Sequence, residues 1–224
     1  MIAGTTKPPS PYQAVIFDID GTLTPEISWT TLTRDLGADT EKHRDFYRAL
    51  QKGRLSYEEA KHSLLRLWCA TGQADRATFT EIFESWPIYP SVPKLVRDLR
   101  GRGKRVCLIT GSVDLYATVI ARRLGVSDYY ANTELVWDDR GALIDFHYRL
   151  DQAAVKLENL TKFCADYGLD PTDCLAVGDD ENDISLFKAT GRGIAVGGDI
   201  PADVRKAAYS CFPTLSEARD VWSD

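Results

Sequence analysis

Cysteine and histidine are sparse in this chain of 224 residues, which has five of the first and three of the second. Cys69, Cys107, Cys164, Cys174 and Cys211 stand singly, with no CxxC pair. An odd and scattered set argues against a disulfide framework, and so few His and Cys without ligand spacing argue against a zinc site. Buried structural thiols are the expectation. Long apolar runs are missing too. None approaches the roughly 20 residues that a membrane-spanning helix needs, and the opening MIAGTTKPPS lacks the apolar stretch of a signal peptide. A cytoplasmic chain with a short flexible lead-in over residues 1–11 is expected. Basic residues are outnumbered, 27 Lys+Arg against 33 Asp+Glu, and a net charge of -6 has the wrong sign for a nucleic-acid partner. No internal repeat is present, and no low-complexity tract beyond the Pro-rich start. With 44% hydrophobic residues the composition is that of a globular protein. The length suits one core domain with a smaller insert, as a monomer or homodimer whose partner is a small molecule.

Tyr12 to Ile19 (YQAVIFDI) is a short apolar, β-branched run between Pro11 and Gly21, and it reads as a buried strand ending at an acidic cluster. Arg105–Thr110, Cys174–Val177 and Gly193–Val196 behave alike, and helix-like patterns follow, such as Asp114–Leu124 and Asp183–Lys188. Strands alternating with helices predict an α/β fold, a Rossmann-like parallel sheet with helices on both faces. In such a sheet the strands' C-terminal ends share one edge, where ligands bind. That edge would gather Asp18, Asp20, Thr110, Gly111, Asp179 and Asp183.

From Pro25 to Pro87 only helical periodicity appears, with Ser56 and Glu59 spaced as a capping box. The segment reads as a helical insert, residues 25–87, between a core formed by 12–24 and 88–224. The aromatics of the insert are expected to be packing residues. Between Tyr129 and Leu150, ELVWDDRGALIDFHY reads as a β-hairpin turning at Asp138 to Gly141, with His147 a strand residue.

The chemistry-bearing features are two acidic clusters. In FDIDGTLT (Phe17 to Thr24), Asp18 and Asp20 lie where strand becomes loop, and Gly21 lets the backbone turn close to a ligand. In GDDENDISLF (Gly178 to Phe187), Asp179 and Asp183 flank a strand-to-helix junction. A helix N-terminus favours acidic residues, which accounts for part of the second cluster but not for Asp18 and Asp20. Four carboxylates converging on one edge would repel one another without a cation, and an all-oxygen site suits Mg²⁺. LITGS (Leu108 to Ser112) offers the Thr110 hydroxyl and backbone N–H groups at Gly111 and Ser112 to an anion. Lys156 could supply a point charge to a phosphoryl group.

In their order, DxDGT, Thr110 at a strand end, Lys156 and GDxxxD, these residues resemble the haloacid dehalogenase-like hydrolases of the phosphatase type. The form GDDENDISLF, the hairpin and the segment Gly53–Trp68 are similar to the phosphoserine phosphatase branch. The resemblance implies a helical cap over residues 25–87 and Mg²⁺-dependent hydrolysis of a phosphomonoester. Asp18 would be the nucleophile and Asp20 the acid and base. Thr110, Gly111, Lys156 and Asn182 would bind phosphate. Asp18, Asp20 (through its carbonyl) and Asp179 would bind Mg²⁺, with Asp183 in support. Asp20 disfavours dehalogenation. It also implies a small phosphorylated metabolite as substrate, phosphoserine leading. Yet Ile27 stands where that branch has a substrate-binding Glu, beside Glu26, and Leu64 where it has an Arg, two residues before Arg66; Arg54 is a third candidate. A phosphotransferase or phosphomutase of the same superfamily, or a phospho-acceptor signalling module, are the alternatives.

Overall fold

The computed structural model describes residues 11–222; apart from Pro11, the lead-in read for residues 1–11 lies outside them. Seven strands form one sheet: β1 (Ala14–Phe17), β2 (Arg105–Val113), β3 (Asp128–Trp137), β4 (Leu143–Tyr148), β5 (Cys174–Gly178), β6 (Gly193–Val196) and β7 (Ser210–Phe212), in the order β4-β3-β2-β1-β5-β6-β7. All pairings are parallel except β3 with β4, the expected hairpin. The fold is the α/β class read from the sequence.

Every residue of β1 is buried, as a strand covered on both faces must be. Val15 and Phe17 join a core with α5 (Val92–Gly101) and α6 (Asp114–Leu124). Ala14 and Ile16 point the other way, into a core with α7 (Gln152–Tyr167), α8 (Ile184–Thr190) and α9 (Ala202–Ala207). The strand's two-residue period thus feeds both faces.

Between β1 and α5 lie α1 (Ser28–Asp35), α2 (Thr40–Gln51), α3 (Tyr57–Cys69) and α4 (Arg76–Ser85). Asp39, Ser56 and Asp75 cap α2, α3 and α4, and Ser56 with Glu59 closes the anticipated capping box. The chain leaves and re-enters at one place, where the Tyr89 N–H donates to the Leu23 carbonyl at 3.0 Å. The tryptophans and the two phenylalanines of α4 in the insert are packing residues, whereas Tyr47 is exposed: Trp29 stacks on Trp68, which meets Phe79 edge-on, and Phe83 and Trp86 carry the contact to Tyr116 of α6. One polar knot lies inside. The Thr33 hydroxyl donates to the Trp29 carbonyl at 3.0 Å, so it accepts from Trp68 Nε1 (2.8 Å) and from His43 Nδ1 (2.7 Å). Burial in this setting pushes His43 down to about 4, with Arg44 adding to it.

The structure departs from the sequence reading in several places, among them β7, which the sequence did not announce, and β1, which is shorter than the run Tyr12 to Ile19. β2 runs past Thr110 to Val113, with a register shift against β3 between those two residues. β3 starts at Asp128 and pairs with β2 before it enters the hairpin. The helix read at Asp183 is a 3-10 turn (Glu181–Asp183) leading into α8. Cys69 is exposed and Cys211 half-buried, so only Cys107, Cys164 and Cys174 are buried thiols. No helix among the described residues is long and apolar enough to cross a membrane.

Candidate active site

The register aligns Phe17 of β1 with Leu108 of β2 and Val177 of β5, so the residues that follow each emerge on one edge of the sheet. Asp18 comes first and is buried, its N–H on the Val177 carbonyl at 2.9 Å. Lys156 reaches it from the first turns of α7. The buried ammonium donates to Asp18 Oδ1 at 2.9 Å and to Asp183 Oδ1 at 2.6 Å. Asp183 Oδ2 in turn accepts the N–H groups of Asp179 (3.1 Å) and Asp180 (3.3 Å). One carboxylate therefore fixes the turn after β5 and aims the lysine. Only glycine fits at 178, because a Cβ there would lie 2.2 Å from Asp183 Oδ2.

Asp179 is fixed from the other loop. Its Oδ1 accepts the Thr22 hydroxyl at 2.9 Å. Gly21 has φ +70°, and a Cβ on it would meet Asp179 Oδ2 at 2.2 Å. The DGT turn thus needs glycine for both its conformation and its close approach. Carboxylate oxygens of Asp18, Asp179 and Asp183 all lie within 4.8 Å of one another.

Asp20 faces the insert. Its Oδ2 accepts the Ser28 N–H at 2.9 Å and the Ser28 hydroxyl at 2.6 Å, so an anionic side chain sits at the N-terminus of α1. With its proton committed to Asp20, the Ser28 hydroxyl accepts from Ser112. The Ser112 N–H donates to Thr110 Oγ1 at 3.1 Å, so this N–H, expected to be open to an anion, is already used. Asp20 Oδ1 is buried without a partner. Asn182 donates to Asp180 Oδ2 at 3.3 Å, within its own turn, and its buried Oδ1 has no partner. Gly111 packs against Gln152, whose Oε1 would lie 2.1 Å from a Cβ there.

Burial dominates the electrostatics. It pushes Asp18 well above the usual carboxylate range, with Lys156 opposing and Asp183, Asp179 and Asp20 adding to the rise. It lifts Asp179 to about 7, with Asp183 adding, and Asp20 to about 6 against the two Ser28 hydrogen bonds. Burial also pulls Lys156 down, but Asp18 and Asp183 overcome that and hold it above the ordinary lysine range, so it stays charged. Crowded carboxylates that resist ionisation are relieved by a bound cation, and their oxygen-only donors fit a hard one such as Mg²⁺.

Sequence reasoning missed Ser28 and Gln152, and it named Ser112 for its N–H, not for the hydroxyl that meets Ser28. Ser28 and Ser112 are separated by 84 residues, and no motif joins them. Of the three candidates for the leaving group, Glu26 lies close enough to raise Asp20, whereas Arg54 and Arg66 are exposed and Leu64 is buried in the core.

A family model described as haloacid dehalogenase-like hydrolase matches residues 12–191. The phosphoserine phosphatase of Methanocaldococcus jannaschii is 29% identical over 92% of this chain and 90% of that protein. The phosphoserine phosphatase of Streptomyces coelicolor is 25% identical over 88% of this chain, which spans about half of its length (46%). Among solved structures, a phospho-aspartyl intermediate analogue of phosphoserine phosphatase superposes with TM-score 0.72 at 25% identity, over 93% of this chain and 97% of that one. A HAD family hydrolase from Salmonella enterica serovar Typhi reaches TM-score 0.80 at 20% identity, over 97% and 74%, a likeness of fold. Joined to a site in which a buried lysine bridges the carboxylates of the DxDGT and GDxxxD motifs, these matches mean that the chain belongs to the haloacid dehalogenase-like hydrolases, as a phosphatase-type member similar to the phosphoserine phosphatases.

Proposed function

We propose that this chain is a Mg²⁺-dependent phosphomonoester hydrolase working through an aspartyl-phosphate on Asp18. The observation that carries the reading is the Lys156 bridge between Asp18 and Asp183, with Asp20 two residues further on and one of its carboxylate oxygens unpartnered. An Asp18 oxygen attacks phosphorus while the bond to the leaving oxygen breaks, and protonated Asp20 gives its proton to the departing alkoxide. Asp20 then takes a proton from water. The new hydroxyl attacks the same phosphorus, the Asp18–phosphorus bond breaks, and inorganic phosphate leaves. A group held near 6 serves both halves of this cycle at neutral pH.

Lys156, with Thr110 and the Gly111 backbone, holds the transferring oxygens, and Asn182 lies at the same edge. Asp183 keeps Lys156 aimed. Asp18, Asp179 and the Asp20 carbonyl would hold Mg²⁺, which when bound offsets the charge between nucleophile and phosphate. Residues 25–87 act as a cap that excludes water and sets specificity over the core of 12–24 and 88–224. The substrate is a small polar phosphorylated metabolite, and phosphoserine, named in the similar proteins, heads the esters to assay. Asp18→Asn should abolish phosphate release from p-nitrophenyl phosphate while circular dichroism stays native. Retained turnover would sink the mechanism, and transfer to an alcohol without phosphate release would favour a phosphotransferase.

A further inference from the structure

Thr133, in the middle of β3, is 1% exposed, and its Oγ1 has no hydrogen-bond partner. A buried hydroxyl left unpaired costs about 1–3 kcal/mol, so a substrate group that supplied the missing partner would be favoured there. Its neighbours locate it. Across the register shift Thr133 pairs with Val113 of β2, the residue after Ser112, and on its other side it pairs with Tyr148 of β4. Ser112 leads through Ser28 to Asp20. The Tyr148 hydroxyl accepts from Gln152 Nε2 at 2.7 Å, and Gln152 is the residue packed on Gly111. Residues directly opposite in an antiparallel pair share a face, so Thr133 shares its face with Tyr148. That is the side on which Trp29 of α1 meets Tyr148 edge-on at 5.7 Å. The hydroxyl therefore lies under the seam between insert and sheet, flanked by two chains of contacts that end at Asp20 and Gly111.

The charges at that seam restrict what can enter. Lys61 and Lys156 are the buried cations among the described residues, and both are committed. Lys156 bridges Asp18 and Asp183, and Lys61 pairs with Asp145 at 2.8 Å and Glu58 at 3.9 Å. Glu26, whose Oε2 accepts the Thr31 hydroxyl at 3.0 Å, adds a negative charge two residues before Ser28. A leaving group with a carboxylate would meet Asp20 and Glu26 and no uncommitted buried cation, and burying an unpaired charge is costly. A hydroxyl or an ammonium would find acceptors.

We propose that Thr133 is a specificity-determining residue of the leaving-group subsite, and that this subsite takes the phosphomonoester of a small alcohol bearing a hydroxyl or ammonium group and no carboxylate. The inference rests on the hydrolase reading and narrows it, placing the decarboxylated analogue ahead of phosphoserine itself. The test is steady-state kinetics of the full chain with Mg²⁺ on O-phosphoethanolamine, glycerol 2-phosphate, phosphoserine and p-nitrophenyl phosphate. The better of the first two should exceed phosphoserine at least tenfold in kcat/KM. Thr133→Val should lower the ratio of that ester to p-nitrophenyl phosphate about tenfold, through KM, and Thr133→Ser should restore it. Phosphoserine equal to or better than both overturns the proposal. So does a Thr133→Val variant that loses both esters in equal measure, the mark of a scaffold role. Failure of the wild type to release phosphate even from p-nitrophenyl phosphate, which carries no group for the subsite, refutes the hydrolase reading and the proposal with it.

Discussion

Lys156→Met keeps the length of the side chain and removes its charge. The ammonium lies 2.9 Å from Asp18 and 2.6 Å from Asp183, with all three side chains nearly inaccessible at 1%, 6% and 0% exposed. Removing one member of a buried ionic group costs about 3–5 kcal/mol, because the remaining charges lose their compensation. At roughly 2–4 °C per kcal/mol for a chain of this size, the melting temperature should fall roughly 6–20 °C. The pH dependence carries the sharper signature. Without the lysine, which alone opposes the effect of burial on Asp18, that carboxyl holds its proton more tightly folded than unfolded, so the native state binds more protons and stability rises as pH falls. The deficit against wild type should be complete at pH 8 and shrink toward pH 5. Urea unfolding in EDTA at several pH values measures it, and Mg²⁺, which binds the native state, should recover part of it. Turnover should drop roughly 100- to 1000-fold, as for loss of a preorganised charge stabiliser. A variant within 1 kcal/mol of wild type at pH 8, or a deficit that deepens on acidification, would refute the reasoning.

Two further outcomes are expected. His43 is held near 4 against an ordinary 6.5, so the unfolded chain takes up a proton between those values and the folded chain does not; stability conferred above pH 6.5 is lost as pH falls toward 4. Relative to His43→Gln, wild type should lose about 3 kcal/mol between pH 7 and 4 in urea titrations, and parallel curves would contradict the buried neutral imidazole. Gly21→Ala must place a Cβ against Asp179 at a φ of +70°. It should cost about 1–2 kcal/mol in backbone strain and raise the Mg²⁺ concentration for half-activation at least tenfold, read by titrating the metal in the phosphatase assay.

The parts of the fold that were legible are those in which local signals agree with tertiary placement. AVIF, CLAV and GIAV are short apolar runs buried along their whole length, and the sheet uses them as the adjacent strands β1, β5 and β6. The hairpin announced itself through Asp138 and Gly141, whose N–H returns to the Asp138 carbonyl at 2.9 Å. The start of β3 was hidden because DYYANT alternates weakly and gains its pairing from β2. β7 escaped because three half-buried residues carry no period. At the site, the motif carboxylates could be named because their spacing is local. The pairing of Ser28 with Ser112 could not, since the bond between them is created by the return of the chain after the whole insert. Thr133 was invisible for a different reason: only burial distinguishes an unpaired hydroxyl from any other threonine of a strand.

The hairpin tip bears on how the active site is reached. The Arg76 N–H donates to the Gly141 carbonyl at 2.8 Å, the Leu143 N–H donates to the Ala74 carbonyl at 2.8 Å, and Asp75 bridges Ala142. The loop between α3 and α4 is thereby stitched to the far end of an outer strand of the sheet, well away from the Leu23–Tyr89 crossing where the insert begins and ends. A body held at two separated points has lost the freedom of a door on one hinge. If the insert is the cap proposed above, its rotation would either bend β3 and β4 along with it or part these backbone bonds, so the hairpin would set the stiffness of that motion.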